Sequence, residues 1–171
     1  TTLFRSSLPY EVLLNTMMLK FTTQYVELAA FDACLQDCGI ADQNLIYLSS
    51  IIPPDTNIVL EKPNYDEGHF GNKLYVVMAQ QRESRRHRQA WAGIGWVKDS
   101  VTGKGLFVEH EGESEDQVEK DIYKTLTSMM ERRPNPNGWS EIEMVVQGAA
   151  CGDKPVCAMV VAAYQSEDWN S

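Results

Sequence analysis

Two adjacent serines have the sequence setting that most favours covalent chemistry in this chain. Ser49 and Ser50 end the apolar segment NLIYL and are followed at once by IIPP. Pro53 and Pro54 have no amide hydrogen and bias the residues before them away from helix, so we expect the chain after Ser50 to be extended. A hydroxyl attacks a neighbouring amide carbonyl only when the backbone is pinned in a near-attack geometry, which this arrangement could provide. The ordinary alternative is a serine pair that hydrogen-bonds a turn.

Two carboxylates share their predicted faces with apolar residues. Asp32 follows Leu28 by four residues and precedes Leu35 by three, so on a helix its carboxylate projects with those side chains. It must then lie at the edge of the face, be paired, or line a pocket, because an unpaired buried charge is costly. Glu109 alternates with Phe107 in the strand pattern GLFVEH, so partial desolvation would favour its protonated form and suit a proton donor. An exposed strand-end glutamate is the alternative.

The composition restricts the class of protein and of partner. The 171 residues suffice for one substantial core and predict a single domain. With 43% hydrophobic residues the chain is typical of a globular protein, and no apolar run approaches the roughly 20 residues of a membrane helix. A net charge of −9 disfavours nucleic acid and favours a cationic small molecule as partner. The N-terminal TTLFRSSLPY lacks the features of a secretory signal, which predicts a cytoplasmic protein.

The cysteines and histidines show no ligand spacing. Cys34, Cys38, Cys151 and Cys157 include no Cys-x-x-Cys pair, so we expect buried or free thiols and neither a zinc quartet nor a dense disulfide framework. The three histidines are separated from one another and from the cysteines. We therefore predict no metal site.

Hydrophobic periodicity predicts two helices and eight strands. The first helix runs from Thr23 to Cys38 with Leu28, Phe31 and Leu35 on its buried face, and Gly39 ends it. The second begins at a capping box formed by Ser114 and Gln117, and its apolar stripe comprises Val118, Ile122, Leu126 and Met129. Strands are predicted at Glu11–Leu19, Leu45–Leu48, Asn57–Glu61, Lys73–Ala79, Ala90–Val97, Gly105–His110, Glu141–Gln147 and Pro155–Tyr164. Several consecutive strands favour an α+β layered sandwich with mainly antiparallel sheets.

Two further motifs have ordinary interpretations. The Gly-x-Gly of AGIGWV lies inside a strand pattern and lacks the third glycine of a dinucleotide site, so it is interpreted as sheet packing. The basic run RESRRHRQ, Arg82–Gln89, could bind phosphate or RNA, but on an acidic domain a solvated hairpin loop is the favoured interpretation.

Taken together, these pieces resemble a known family. The segment AAFDACLQDCGIADQNLIYLSSIIPP is similar to the cleavage-site region of the pyruvoyl-dependent arginine decarboxylases, and GLFVEHEG with the following acidic-capped helix resembles that family's glutamate-bearing segment. The likeness extends from about residue 10 to residue 165, and the order and spacing of the pieces carry it.

The resemblance implies that the chain processes itself. The Ser50 hydroxyl would attack the Ser49 carbonyl, the resulting ester would break by β-elimination, and a pyruvoyl group would remain at residue 50. The single domain, residues 1–171, would then become a beta chain of residues 1–49 and an alpha chain of residues 50–171. The new ketone would take up the electrons left when carbon dioxide departs, as pyridoxal phosphate does elsewhere, so neither pyridoxal phosphate nor a metal is expected.

The resemblance also implies roles for other residues and an assembly. Asn44 would aid cleavage by donating to the oxyanion. Its ordinary interpretation is a turn cap before the strand. Glu109 would reprotonate the substrate α-carbon, and Asp32 would receive the guanidinium of arginine. The implied architecture is a four-layer αββα sandwich, assembled as a homotrimer with active sites between neighbouring subunits.

Three alternatives to arginine decarboxylation stay open. The same chemistry could act on lysine, ornithine or aspartate. The chain could instead be an unprocessed homologue that serves as a non-catalytic, trimeric binding or regulatory subunit. An RNA-binding module that uses the basic loop is disfavoured by the net charge.

Overall fold

The computed structural model describes residues 11–17 and 26–170 of the chain. Within these ranges it contains two α-helices and nine strands. In chain order they are β1 (Glu11–Met17), α1 (Glu27–Asp37), β2 (Asn44–Tyr47), β3 (Ile51–Ile52), β4 (Asn57–Leu60), β5 (Lys73–Glu83), β6 (Gln89–Lys98), β7 (Gly105–Gly112), α2 (Glu115–Arg132), β8 (Glu143–Ala150) and β9 (Val156–Glu167). The predicted end of the first strand at Leu19 and the predicted start of the first helix at Thr23 lie outside the described residues.

The strands form two sheets. Sheet A has the order β2-β5-β9-β1-β4, in which the two outer pairs are parallel and the two inner pairs antiparallel. Sheet B has the order β3-β7-β6-β8 and is antiparallel throughout. All eight predicted strands are present in the described part of the chain, and β3 is the addition. It is two residues long, which is too short for hydrophobic periodicity to reveal.

The two sheets face each other and each is covered by one helix. Apolar side chains from β5 and β9 meet those of β6 and β7 in the space between the sheets, where Phe107 and Ile94 are fully buried. A second core lies between α1 and the outer face of sheet A, and a third between α2 and the outer face of sheet B. The layers are therefore α1, sheet A, sheet B and α2, which confirms the predicted αββα sandwich with mainly antiparallel sheets.

Helix α1 ends where its sequence predicts but buries a different face. Gly39 has a φ of +74°, and the amides of Gly39 and Ile40 donate to the carbonyls of Gln36 and Leu35, which is a Schellman cap. The prediction that Leu28 belongs to the buried face is wrong, because its side chain is 65% exposed. The buried side chains of this helix are Ala30 and Cys34. These small residues let the helix approach sheet A closely, so its larger apolar side chains lie along the flanks.

Helix α2 follows its predicted pattern closely. The Ser114 side chain accepts a hydrogen bond from the Gln117 amide, and Val118, Ile122 and Leu126 are fully buried against sheet B. Gly95 allows this close packing, since a Cβ at that position would overlap the Ile122 side chain. The Gly-x-Gly of β6 therefore serves the packing of a helix on a sheet, as predicted.

None of the four cysteines forms a disulfide and all four are buried, as predicted. The Cys34 thiol donates to the Cys157 carbonyl at 3.2 Å across the interface of α1 and sheet A. Burial raises the pKa of the neighbouring Cys38 thiol to about 12, so this group is a neutral core residue. Among residues 11–17 and 26–170, no helix is long and apolar enough to cross a membrane.

Candidate active site

Ser50 occupies a strained position between β2 and β3. Its φ is +65°, a left-handed conformation that residues with a Cβ rarely adopt and that costs about 1–3 kcal/mol. Contacts on its C-terminal side hold this conformation: the Ser50 carbonyl accepts a hydrogen bond from the Phe107 amide at 2.8 Å, and Ile51 pairs with Leu106. The prolines that follow lack amide hydrogens, so the extended chain after Ser50 has few alternatives.

This backbone conformation matters for attack on the preceding peptide bond. Around the N–Cα bond of an L-residue, a positive φ places Cβ gauche to the preceding carbonyl carbon, whereas a helical φ places Cβ opposite to it. Attack by Ser50 Oγ on the Ser49 carbonyl carbon closes a five-membered ring, which requires Cβ and that carbon on the same side. The left-handed φ of Ser50 meets this requirement. Ser49 itself is exposed, and the reaction needs only its carbonyl.

The structure brings Ser50 and Glu109 together across 59 residues of sequence. The Ser50 hydroxyl donates to Glu109 Oε1 at 2.5 Å, within the range of hydroxyl–carboxylate hydrogen bonds. Glu109 is half-buried on β7, on the same strand face as the fully buried Phe107. A carboxylate in this contact can accept the hydroxyl proton as the oxygen attacks, and it can return a proton to an atom bound at residue 50.

Tyr164 completes this cluster and was missed by the sequence reasoning. Its hydroxyl donates to the Ile51 carbonyl at 3.0 Å, and its ring packs edge-on against Phe107 with centroids 6.2 Å apart. Burial, together with the charge of Glu109, raises the pKa of the Tyr164 hydroxyl. A sequence signal existed: Tyr164 continues the inward-facing positions of a strand that are otherwise small and apolar, and a buried tyrosine hydroxyl usually requires a partner.

Asn44 lies at the opposite end of β2 from the serines. Its side-chain amide donates to the Gly71 carbonyl at 2.7 Å, and its backbone amide donates to the Asn72 carbonyl. The three residue steps from Asn44 to Tyr47 span about 10 Å, and Ser50 lies farther along the chain. Within one chain Asn44 therefore fixes the start of β2, and the structure does not bring it to Ser50.

Asp32 lies on the exposed side of α1 and is also separate from Ser50. It accepts a hydrogen bond from Gln36 Nε2 at 2.7 Å and borders an open hollow of about 480 Å³. The other residues that line this hollow are Val26, Leu28, Ala29, Phe31 and Leu35. Since α1 covers the outer face of sheet A while Glu109 faces the space between the sheets, the two carboxylates of one chain do not share a site.

The basic segment Arg82–Gln89 forms the hairpin between β5 and β6. Arg85 donates to the buried carboxylate of Glu83, and these hydrogen bonds lower the Glu83 pKa to about 2. The other arginines also have local partners: Arg82 lies over the Phe31 ring, Arg86 pairs with Asp153, and Arg88 pairs with Glu113. The segment is thus a solvated hairpin loop, as predicted, and the structure adds that its charges have local partners. In the described ranges, no group of three or more acidic, histidine or cysteine side chains is arranged to hold a metal.

A strained serine held against a carboxylate inside an αββα sandwich fits the class of enzymes that make their prosthetic group from their own chain. The family model of the pyruvoyl-dependent arginine decarboxylases matches residues 20–168. A pyruvoyl-dependent arginine decarboxylase of Halobacterium salinarum is 33% identical over 147 residues, which cover 83% of this chain and 88% of the relative. That of Methanococcoides burtonii is 36% identical over 98 residues, covering 57% of this chain and 54% of the relative.

A third relative, the pyruvoyl-dependent arginine decarboxylase 2 of Archaeoglobus fulgidus, is 28% identical over 105 residues, covering 61% of this chain and 67% of the relative. The chain belongs to the pyruvoyl-dependent arginine decarboxylase family. The predicted family and enzyme class are confirmed, as is a pyruvoyl prosthetic group.

Proposed function

We propose that this chain converts L-arginine to agmatine and carbon dioxide, and that it makes its pyruvoyl group from Ser50 by cleaving the bond between Ser49 and Ser50. The observation that carries the proposal is the left-handed backbone of Ser50, with its hydroxyl on Glu109. Cleavage would divide the single domain into residues 1–49 and residues 50–171.

The proposed cleavage needs no reagent besides water. Ser50 Oγ adds to the Ser49 carbonyl carbon as Glu109 accepts its proton, and the amide C–N bond breaks to leave an ester and a free Ser50 amine. Loss of the Ser50 Cα proton then expels the Ser49 carboxylate as a new C terminus. Water adds to the remaining dehydroalanine and ammonia leaves, so residue 50 becomes the pyruvoyl group.

The backbone and side-chain groups around residue 50 fit a pyruvoyl group and its role in decarboxylation. The Ser50 carbonyl that would persist in it is already held by the Phe107 amide. When present, the group supplies a ketone that takes up the electrons released by decarboxylation. Glu109 contacts the Ser50 side-chain position and can donate the proton that replaces carbon dioxide on the substrate α-carbon.

We further propose that the protein is a homotrimer. In it, Asp32 of one subunit would bind the guanidinium of a substrate whose reacting end lies beside Glu109 of a neighbouring subunit. A planar guanidinium pairs well with a carboxylate, and the hollow beside Asp32 offers apolar walls for the substrate's methylene chain. Since sheet A separates Asp32 from Glu109 within one chain, a shared site requires two copies. Leu28 at 65%, Tyr47 at 60% and Ile51 at 50% exposure are apolar surfaces that such an assembly would cover.

Asn44 is proposed to assist cleavage by donating to the oxyanion. This role requires that its amide leave the Gly71 carbonyl, or that it come from a neighbouring subunit. We propose the cytoplasm as the working compartment, because none of the four cysteines forms a disulfide.

Mass spectrometry under denaturing conditions is expected to find two fragments of the purified protein, residues 1–49 and residues 50–171, the latter with an N terminus that does not react with amine reagents. Carbon dioxide release should be fastest with arginine among arginine, lysine, ornithine and aspartate. An intact, inactive chain would favour the non-catalytic homologue. If arginine is not decarboxylated while lysine, ornithine or aspartate is, the proposed substrate is wrong.

Asp32→Asn is expected to raise the KM for arginine about 10- to 100-fold, because a hydrogen bond to a charged group contributes about 1.5–3 kcal/mol. Cleavage should proceed at the wild-type rate, since Asp32 is proposed to contact the guanidinium end of the substrate and not the groups that react in cleavage. Asp37→Asn on the same helix is the matched control and should leave KM unchanged. An unchanged KM in Asp32→Asn would remove Asp32 from the substrate site.

A further inference from the structure

The carbonyl of Ile51 faces away from the strand that holds Ser50. Successive carbonyls of a β-strand point to opposite sides, and the Ser50 carbonyl points to β7, where it accepts the Phe107 amide. The Ile51 carbonyl is therefore directed to the side of β3 on which no strand of the described residues pairs, since β3 is the edge strand of sheet B. If this carbonyl had no hydrogen-bond partner, the two-residue edge strand β3 would be fixed by few hydrogen bonds and residue 50 would be weakly positioned.

Tyr164 supplies the missing partner from the other sheet. It lies on β9 of sheet A, and its hydroxyl donates to the Ile51 carbonyl at 3.0 Å. Its ring is fixed by an edge-on contact with Phe107, the residue whose amide holds Ser50. Two successive carbonyls, those of Ser50 and Ile51, are thus anchored to two different sheets. Because burial and Glu109 raise its pKa, the hydroxyl stays a hydrogen-bond donor across the ordinary pH range.

The anchor gains importance once the chain is cut, an inference that rests on the proposed function. Before cleavage, residue 50 is tethered on both sides, by β2 and by β3. After cleavage it is a chain terminus, and only contacts on its C-terminal side can keep it against Glu109. Among the described residues, those contacts are the hydrogen bond from the Phe107 amide to the residue-50 carbonyl, the short pairing of β3 with β7 and the hydrogen bond from Tyr164.

We propose that Tyr164 is a positioning residue: by holding the Ile51 carbonyl it keeps residue 50 aligned with Glu109, first for cleavage and then for decarboxylation. It touches the backbone next to the reacting residue and acts through that residue. Its loss should therefore lower kcat and the cleavage rate and leave substrate affinity nearly unchanged.

Tyr164→Phe tests this, because it removes the hydroxyl and keeps the ring contact with Phe107. We expect cleavage of freshly synthesised chain, followed by denaturing mass spectrometry, to slow by about 2- to 12-fold, which corresponds to the roughly 0.5–1.5 kcal/mol of a neutral hydrogen bond. The kcat of the cleaved fraction should fall by a similar factor, with KM within about twofold of wild type. Tyr123→Phe, which alters an exposed tyrosine on α2, is the matched control.

A second variant separates positioning from folding. Difluorotyrosine at position 164 keeps the hydroxyl, and this hydroxyl ionises at lower pH than that of tyrosine. We expect wild-type kcat at the acidic end of the profile and a loss at alkaline pH that wild type does not share, because a phenolate cannot donate to the Ile51 carbonyl. Wild-type kcat and cleavage in Tyr164→Phe, or an unshifted pH profile in the fluorinated protein, would overturn the proposal. If wild type itself stays uncleaved, the proposed function fails and the inference fails with it.

Discussion

Ser50→Ala is expected to yield an intact chain of 171 residues that releases no carbon dioxide from arginine. Alanine lacks the oxygen that attacks the Ser49 carbonyl, so neither the ester nor the pyruvoyl group can form. The backbone should tolerate the change, because alanine meets much the same steric cost as serine at a φ of +65°. Denaturing mass spectrometry and a carbon dioxide assay measure the two losses, and a thermal melt should give a midpoint close to that of uncleaved wild-type chain.

The neighbouring serine provides the matched control for this prediction. Ser49 contributes a carbonyl and not a hydroxyl, and its side chain is exposed. Ser49→Ala should therefore be cleaved at the same bond, within about threefold of the wild-type rate, since exposed substitutions usually change energies by about 0.5 kcal/mol or less. The opposite pattern, with cleavage in Ser50→Ala and an intact chain in Ser49→Ala, would move the scissile bond and its nucleophile.

Glu109→Gln should lower the kcat for arginine decarboxylation about 10²- to 10⁴-fold, with a much smaller change in KM. Glutamine keeps the shape of the side chain and an oxygen for the Ser50 hydroxyl, but it cannot accept or donate the proton. Cleavage should slow as well, since the same carboxylate receives the Ser50 proton. The kcat is therefore calculated per cleaved chain, with the cleaved fraction measured by mass spectrometry. Initial rates across a range of arginine concentrations separate kcat from KM.

Two further variants isolate the position of this carboxyl group. Glu111→Gln removes an exposed carboxylate two residues along the same strand and should leave kcat and cleavage unchanged. Glu109→Asp retains an acid but withdraws it by one methylene from Ser50, so its kcat should lie between those of wild type and Glu109→Gln. A Glu109→Gln enzyme that decarboxylates arginine at the wild-type rate would exclude this residue as the proton donor.

The amino-acid sequence was most informative where a feature depends on neighbours in the chain. The serine pair before two prolines predicts the extended segment, Gly39 predicts the end of α1, and the cap at Ser114 predicts the start of α2. Each depends on backbone torsions or hydrogen bonds within a few residues, and the structure bears each of them out. The alternation of Phe107 and Glu109 likewise gave the strand face that Glu109 occupies.

Only the tertiary structure decided which of these residues meet. The contact of Ser50 with Glu109 joins residues far apart in the chain, and the anchor from Tyr164 to Ile51 joins two sheets, so no local pattern encodes either. The left-handed φ of Ser50 is similar: serine does not favour it, and the surrounding strands impose it. Asp32 shows the same limit. Its sequence spacing correctly predicts a helix, but the small residues Ala30 and Cys34 pack on sheet A and leave Asp32 on the exposed side. Local torsions follow from local sequence, but the meeting of distant side chains follows from how sheets and helices pack, and that depends on the whole chain.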